Sequence, residues 1–114
     1  MGTMRNRLVV MLAAGAGLAA FLLGANPAQA ADGAALANKN GCLACHSVDK
    51  KVLGPAFKEV SKKYKGNADA ATYLIGKIKG GSSGVWGPIP MPPNSPRVTD
   101  ADIKDLAEWI LSLS

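Results

Sequence analysis

Apolar residues in the second half of the chain recur at helical spacing. Ile103, Leu106, Ala107, Ile110 and Leu111 form one stripe, and Thr99 with Asp102 three positions on resembles a capping box at its start. Ala71, Leu74, Ile75 and Ile78 predict a second helix over about Asp69 to Lys79, stopped by Gly80-Gly81. Phe57, Val60 and Tyr64 predict a third that begins near Pro55, a residue suited to a first helical turn. A fourth is expected from about Ala34 to Asn40, with Asp32 placed to cap it and Gly41 to end it. There is no convincing alternating strand pattern and no internal repeat, so the pattern predicts an all-α fold of about four helices. The stripe residues read as plain core, and Trp109 is expected to pack on the first helix.

The chemistry sits between these elements. Cys42-Leu43-Ala44-Cys45-His46 places two thiols three positions apart with an imidazole directly after the second. This is the attachment pattern of a c-type haem, in which both sulfurs add to the porphyrin edge and His46 lies under the iron as proximal ligand. Three other readings compete. Tetrahedral zinc needs four ligands, and two cysteines with one histidine leave the chain one short without a carboxylate. A thioredoxin-like redox pair calls for a βαβ context that is missing, and a disulfide across so short a loop contributes little.

A second informative stretch runs Gly84-Val85-Trp86-Gly87-Pro88-Ile89-Pro90-Met91-Pro92-Pro93-Asn94. Met91 is the only methionine beyond residue 11, and His46 is the only histidine, so two imidazoles cannot ligate one iron within this chain. A lone Met is ordinarily core filler. Filler does not explain four prolines around it: fixed φ angles lower the entropy lost when a loop closes, which suits a weak thioether ligand held on iron. Met91 is therefore read as the distal ligand.

The N-terminus reads as an address rather than as fold. Arg5 and Arg7 precede an apolar run from Leu8 to Leu23, and Ala28-Gln29-Ala30 is a small-x-small cleavage site. The run is shorter than the roughly 20 residues of a spanning helix. The expectation is a cleaved secretory signal over residues 1–30, a single domain over 31–114, a periplasmic location and no stable membrane insertion after cleavage. Asn6 separates the two arginines, so no twin-arginine signal is present, and no cysteine at the cleavage site invites a lipid anchor. A domain this small has a thin core, and a covalent cofactor would supply the missing apolar bulk.

Charge changes the picture little. The chain carries +5, the leader holds two of the basic residues and no acidic ones, and two ionised propionates would bring the remaining +3 to about +1. Nucleic acid is not implied. Lys50, Lys51, Lys58, Lys62, Lys63 and Lys65 read as a solvated face.

Taken together, Cys42 through His46, Leu53-Gly54-Pro55-Ala56 and Gly84 through Asn94, closed by the Trp109-containing helix, resemble the small bacterial class I cytochromes c of the cytochrome c-551 (c8) family, across residues 31–114 and in the family's order. The resemblance implies one haem c bound through Cys42 and Cys45, with His46 and Met91 on the iron. It further implies that the Pro55 carbonyl accepts a hydrogen bond from His46, that Trp86 donates to a propionate, and that Asn94 contacts the Met91 sulfur. Lys77 falls where relatives can carry an arginine toward a propionate, and a lysine lacks the planar fork. The implied protein is not an enzyme but a monomeric one-electron carrier. It docks transiently at its exposed haem edge to redox proteins such as nitrite reductase, cytochrome oxidase, cytochrome bc1 or a peroxidase. Two rival classes are a haem enzyme or gas sensor in which Met91 leaves the iron, and a haem-free thiol–disulfide protein.

Overall fold

The computed structural model describes residues 27–114, and the expected signal over residues 1–30 lies almost wholly outside them. Four helices follow in order: α1 (Pro27–Lys39), α2 (Phe57–Tyr64), α3 (Ala70–Gly80) and α4 (Asp100–Leu111), with one 3-10 turn at Cys42–Ala44. No strand occurs among the described residues, only two isolated bridges, His46 with Lys51 and Ser82 with Met91. The fold is the all-α one expected.

α4 is the hub, packing against α1, α2 and α3. Its stripe explains why: Ile103, Leu106, Ala107, Trp109 and Ile110 are all buried, Ile103 and Leu106 almost completely. Burying each such large side chain contributes about 1.5–3 kcal/mol. Thr99 caps this helix, its Oγ1 accepting from the Asp102 amide at 3.2 Å. The stripe meets Ala37 of α1, Phe57 and Val60 of α2, Leu74 and Ile78 of α3, and Val98 just before α4. Trp109 lies against α1 so closely that a Cβ on Gly33 would overlap its side chain, which is the contact expected from sequence.

Two helix starts differ from expectation. α1 begins at Pro27 rather than near Ala34, so Asp32 lies inside the helix and caps nothing. Proline is tolerated in a first turn and the following alanines are strong helix formers, which lets the helix extend backwards. α2 begins at Phe57, two residues after Pro55, with Ala56 extended at ψ 140°. The Pro55 carbonyl is thus free of the helix and available to the site.

A polar residue also occupies the core. Ser61 is fully buried, its hydroxyl 3.0 Å from the Leu111 carbonyl and 2.8 Å from Ser114 Oγ, tying α2 to the end of α4. No helix among the described residues is long and apolar enough to cross a membrane.

Candidate haem site

The segment after α1 is wound tightly. Gly41 turns the chain with φ at 76°, and amides of Ala44, Cys45 and His46 donate back to Gly41 and Cys42. The Gly54 amide then donates to the Cys45 carbonyl at 2.7 Å, and Phe57 and Lys58 amides donate to Ser47 and Val48. His46 is clamped inside this knot. Its Nδ1 sits 2.7 Å from the Pro55 carbonyl oxygen. A carbonyl can only accept, so Nδ1 carries a proton and donates it to Pro55. The ring stacks on Phe57 with centroids 4.8 Å apart, and a Cβ on Gly54 would lie 2.6 Å from His46 Cε1, so that position has no room for a side chain.

The loop bearing Met91 is built otherwise. It leaves α3 at Gly81, whose φ of 85° is a left-handed conformation that L side chains rarely adopt. Met91 pairs with Ser82 through two backbone hydrogen bonds of 2.7 and 3.0 Å, and a Cβ on Gly81 would come 2.7 Å from the Met91 carbonyl oxygen. Asn94 fastens the far end: its backbone amide and Nδ2 both donate to the Ile78 carbonyl, and its Oδ1 accepts from Arg97 at 2.8 Å. The recorded hydrogen bonds of Asn94 therefore anchor the loop to α3 and to Arg97.

These two segments border one cleft holding about 1370 Å³ of atom-free space, its mouth included. All eight residues singled out from sequence line it: Cys42, Cys45, His46, Pro55, Lys77, Trp86, Met91 and Asn94. Between them the wall is apolar, with Phe57, Val60, Leu74, Ile78, Leu106 and Ile110. Two further residues were not anticipated. Arg97 lines the cleft from an exposed loop, and Tyr73 joins Tyr64 and Trp86 in an aromatic group at one side. Tyr64 and Tyr73 hydroxyls lie 3.5 Å apart. Burial and that neighbour push the Tyr64 hydroxyl up to about 12, with the Trp86 side chain pulling the other way. Lys77 Nζ sits 5.3 Å from the Tyr73 ring centre and Lys63 Nζ 5.4 Å from that of Trp86, so both cations sit beside the aromatic group.

The donor set discriminates between ligands. No three His, Cys, Asp or Glu side chains converge on a bare metal ion among the described residues. Cys42 and Cys45 form no disulfide with each other, and both are half-buried. Burial pushes the Cys42 thiol up, only partly opposed by the Arg97 charge. An apolar slot with two thiols, one imidazole and one thioether along its lining fits a porphyrin.

Comparison with known proteins agrees. The family model described as Cytochrome c matches residues 30–114. The chain belongs to the cytochrome c family. Cytochrome c-552 of Nitrosomonas europaea is 63% identical over 95 residues, which span 83% of this chain and 89% of that protein. Cytochrome c-551 of Pseudomonas aeruginosa is 50% identical over the same shares, and that of Stutzerimonas stutzeri 54% over 96% of this chain and 99% of its own. The crystal structure of wild-type Nitrosomonas europaea cytochrome c552 superposes with a TM-score of 0.68 at 65% identity, covering 71% of this chain and 99% of that one. Within the family this cytochrome is therefore a small class I member of the c-551 group. Its cofactor is covalently bound haem c, with Cys42 and Cys45 as the attachment pair, and its role is that of a haem-based electron carrier passing electrons to partner proteins.

Proposed function

We propose that this cytochrome is a periplasmic one-electron shuttle whose haem iron is held between His46 and Met91. The observation that carries the reading is the convergence, on one apolar cleft, of the chain's only imidazole, its only thioether beyond residue 11 and both thiols. Haem with both axial positions filled exchanges one electron between Fe(III) and Fe(II) and leaves no open site for oxygen or nitrite. Everything else is the work of the polypeptide. The Pro55 carbonyl holds the proton on His46 Nδ1 and fixes the ring at the cleft wall, raising the ring's basicity. Phe57 supports the ring from one face. The prolines around Met91 and the Ser82 pairing hold the thioether in place, and the apolar wall keeps water out, which favours the less charged ferrous form and a more positive potential.

At the mouth, Trp86 and Lys77 are assigned to the propionates, and Asn94 to the support of Met91. Leu53, Val85, Trp86 and Ile89 line the cleft and remain exposed, Ile89 by 57%. An apolar rim of this kind suits a brief docking contact in which little polar surface must be desolvated. A signal cleaved after Ala30 would remove the first turn of α1 and deliver residues 31–114 to the periplasm, where a nitrite reductase, an oxidase, cytochrome bc1 or a peroxidase would be the exchange partner.

The test is the visible and near-red spectrum of the exported, haem-loaded protein in both oxidation states. Sharp low-spin c-type bands together with the weak ferric iron–sulfur charge-transfer band are expected. Haem bands without the sulfur band would remove Met91 from the iron and favour an enzyme or sensor.

A further inference from the structure

Among the described residues, Arg97 is the one that hydrogen-bonds both the Met91 loop and the residue leading into the Cys42–His46 segment. Its Nη2 donates to Asn94 Oδ1 at 2.8 Å and its Nη1 to the Asn40 carbonyl at 3.1 Å. Asn94 closes the Met91 loop onto α3, whereas Asn40 is the residue before Gly41 and the Cys42–His46 turn. Among the described residues no other hydrogen bond runs between residues 40–55 and residues 82–97. The guanidinium pairs with no carboxylate there: the ion pairs are all made by lysines. Its backbone is well placed for the task. The Val98 amide donates to the Asn94 carbonyl at 2.8 Å, closing a turn around Arg97, and Val98 itself is buried in the core.

We propose that Arg97 is a positioning residue, a two-pronged clamp that couples the Met91 loop to the haem-attachment segment and keeps the thioether seated. The inference rests on Met91 being the distal ligand. Asn94 is held on one side by α3 and on the other by Arg97, so the clamp opposes the outward swing that would lift Met91 from the iron. The two prongs leave from separate nitrogens of one rigid plane, a geometry that a lysine ammonium does not reproduce.

The haem-loaded wild type, Arg97→Met and Arg97→Lys are compared by titrating the ferric form with imidazole, which competes with the thioether, while following the iron–sulfur band. Reduction potential and thermal midpoint are recorded in parallel. Both variants should bind imidazole about three- to tenfold more tightly, the range set by the net worth of one ordinary solvent-exposed hydrogen bond. Their potentials should fall, and Arg97→Lys should restore at most part of either effect. Unchanged imidazole affinity in both variants, or a shift in thermal midpoint alone, overturns the clamp. Full restoration by Arg97→Lys also overturns it, because charge without the fork would then suffice. A wild type lacking the iron–sulfur band overturns the ligation reading itself and the clamp with it, so the two failures are told apart in the first spectrum.

Discussion

The two sides of the haem cleft are held by different physics. From Gly41 to Lys58 the chain is knitted to itself: successive amides donate back along the segment, and the His46 ring is fixed by a carbonyl, a stacked Phe57 and the close backbone of Gly54. From Ser83 to Pro90 no backbone hydrogen bond is recorded, and the prolines at 88, 90, 92 and 93 have no amide to offer. That loop is stiff rather than cross-linked, and it is fastened at its ends by Ser82, Asn94 and Arg97. A strong ligand on a covalently attached segment needs only orientation. On the proposed ligation, a weak thioether needs its approach limited in advance, because little bond energy is available to offset ordering a loose loop.

The comparison is broken most severely at the ligands. Cys45→Ala should weaken or abolish haem attachment, read as loss of thioether-linked haem from the purified protein. Met91→Ala should keep the haem attached but lower the potential by a few tenths of a volt, within the ~0.8 V range that axial ligands control. An unaltered potential and spectrum would remove Met91 from the site.

A finer contrast adds one carbon to each side. Gly54→Ala and Gly81→Ala should each destabilise by about 1–3 kcal/mol in denaturant titrations, from overpacking and, at Gly81, from φ at 85° as well. Their spectra should differ. Gly81→Ala should lose the iron–sulfur band, since its new carbon meets the Met91 carbonyl, whereas Gly54→Ala should keep it while disturbing His46. Equal spectral damage would mean that the two sides are equally rigid. Pro92→Ala should cost less, about 0.4–1 kcal/mol, through freedom regained by the unfolded chain.

The smallest effect concerns the contact between α2 and α3. The Tyr64 hydroxyl is raised from 10.0 to about 12 in the folded protein, so the unfolded chain loses its proton first. This contribution is fully present below pH 10 and is lost as pH rises through the window from 10 to about 12. Stability measured across that window should decline, and Tyr64→Phe should flatten the decline.

Much of this was readable in advance, for identifiable reasons. That His46, Cys42, Cys45 and Met91 belong to one cleft was legible because covalent and ligand chemistry demands particular atoms at particular spacings, and the chain holds few of them. α4 was legible because a buried stripe on one helix repeats with the helix period. Ser61 was not: it stands at a core position four residues after Phe57, yet its burial depends on a carbonyl fifty residues away. Pro55 read as a helix start because its fixed φ suits a first turn, and only the tertiary pull of His46 turns its carbonyl outward. Arg97 carried no local signal, since an arginine in a polar loop looks like a solvated charge until its two acceptors are brought together.

The overlap of Trp109 with the empty position at Gly33 has a kinetic consequence. It joins the first and last helices, so the contact that completes the core is also among the most distant in sequence. Closing so long a loop carries its entropic cost before the surrounding packing can repay it, and that places the docking of α1 on α4 among the slow determinants of folding. Through Phe57, the same indole reaches the ring of His46. Bringing the first and last of these helices together is thus coupled by direct contact to orienting the imidazole that we assign to the iron.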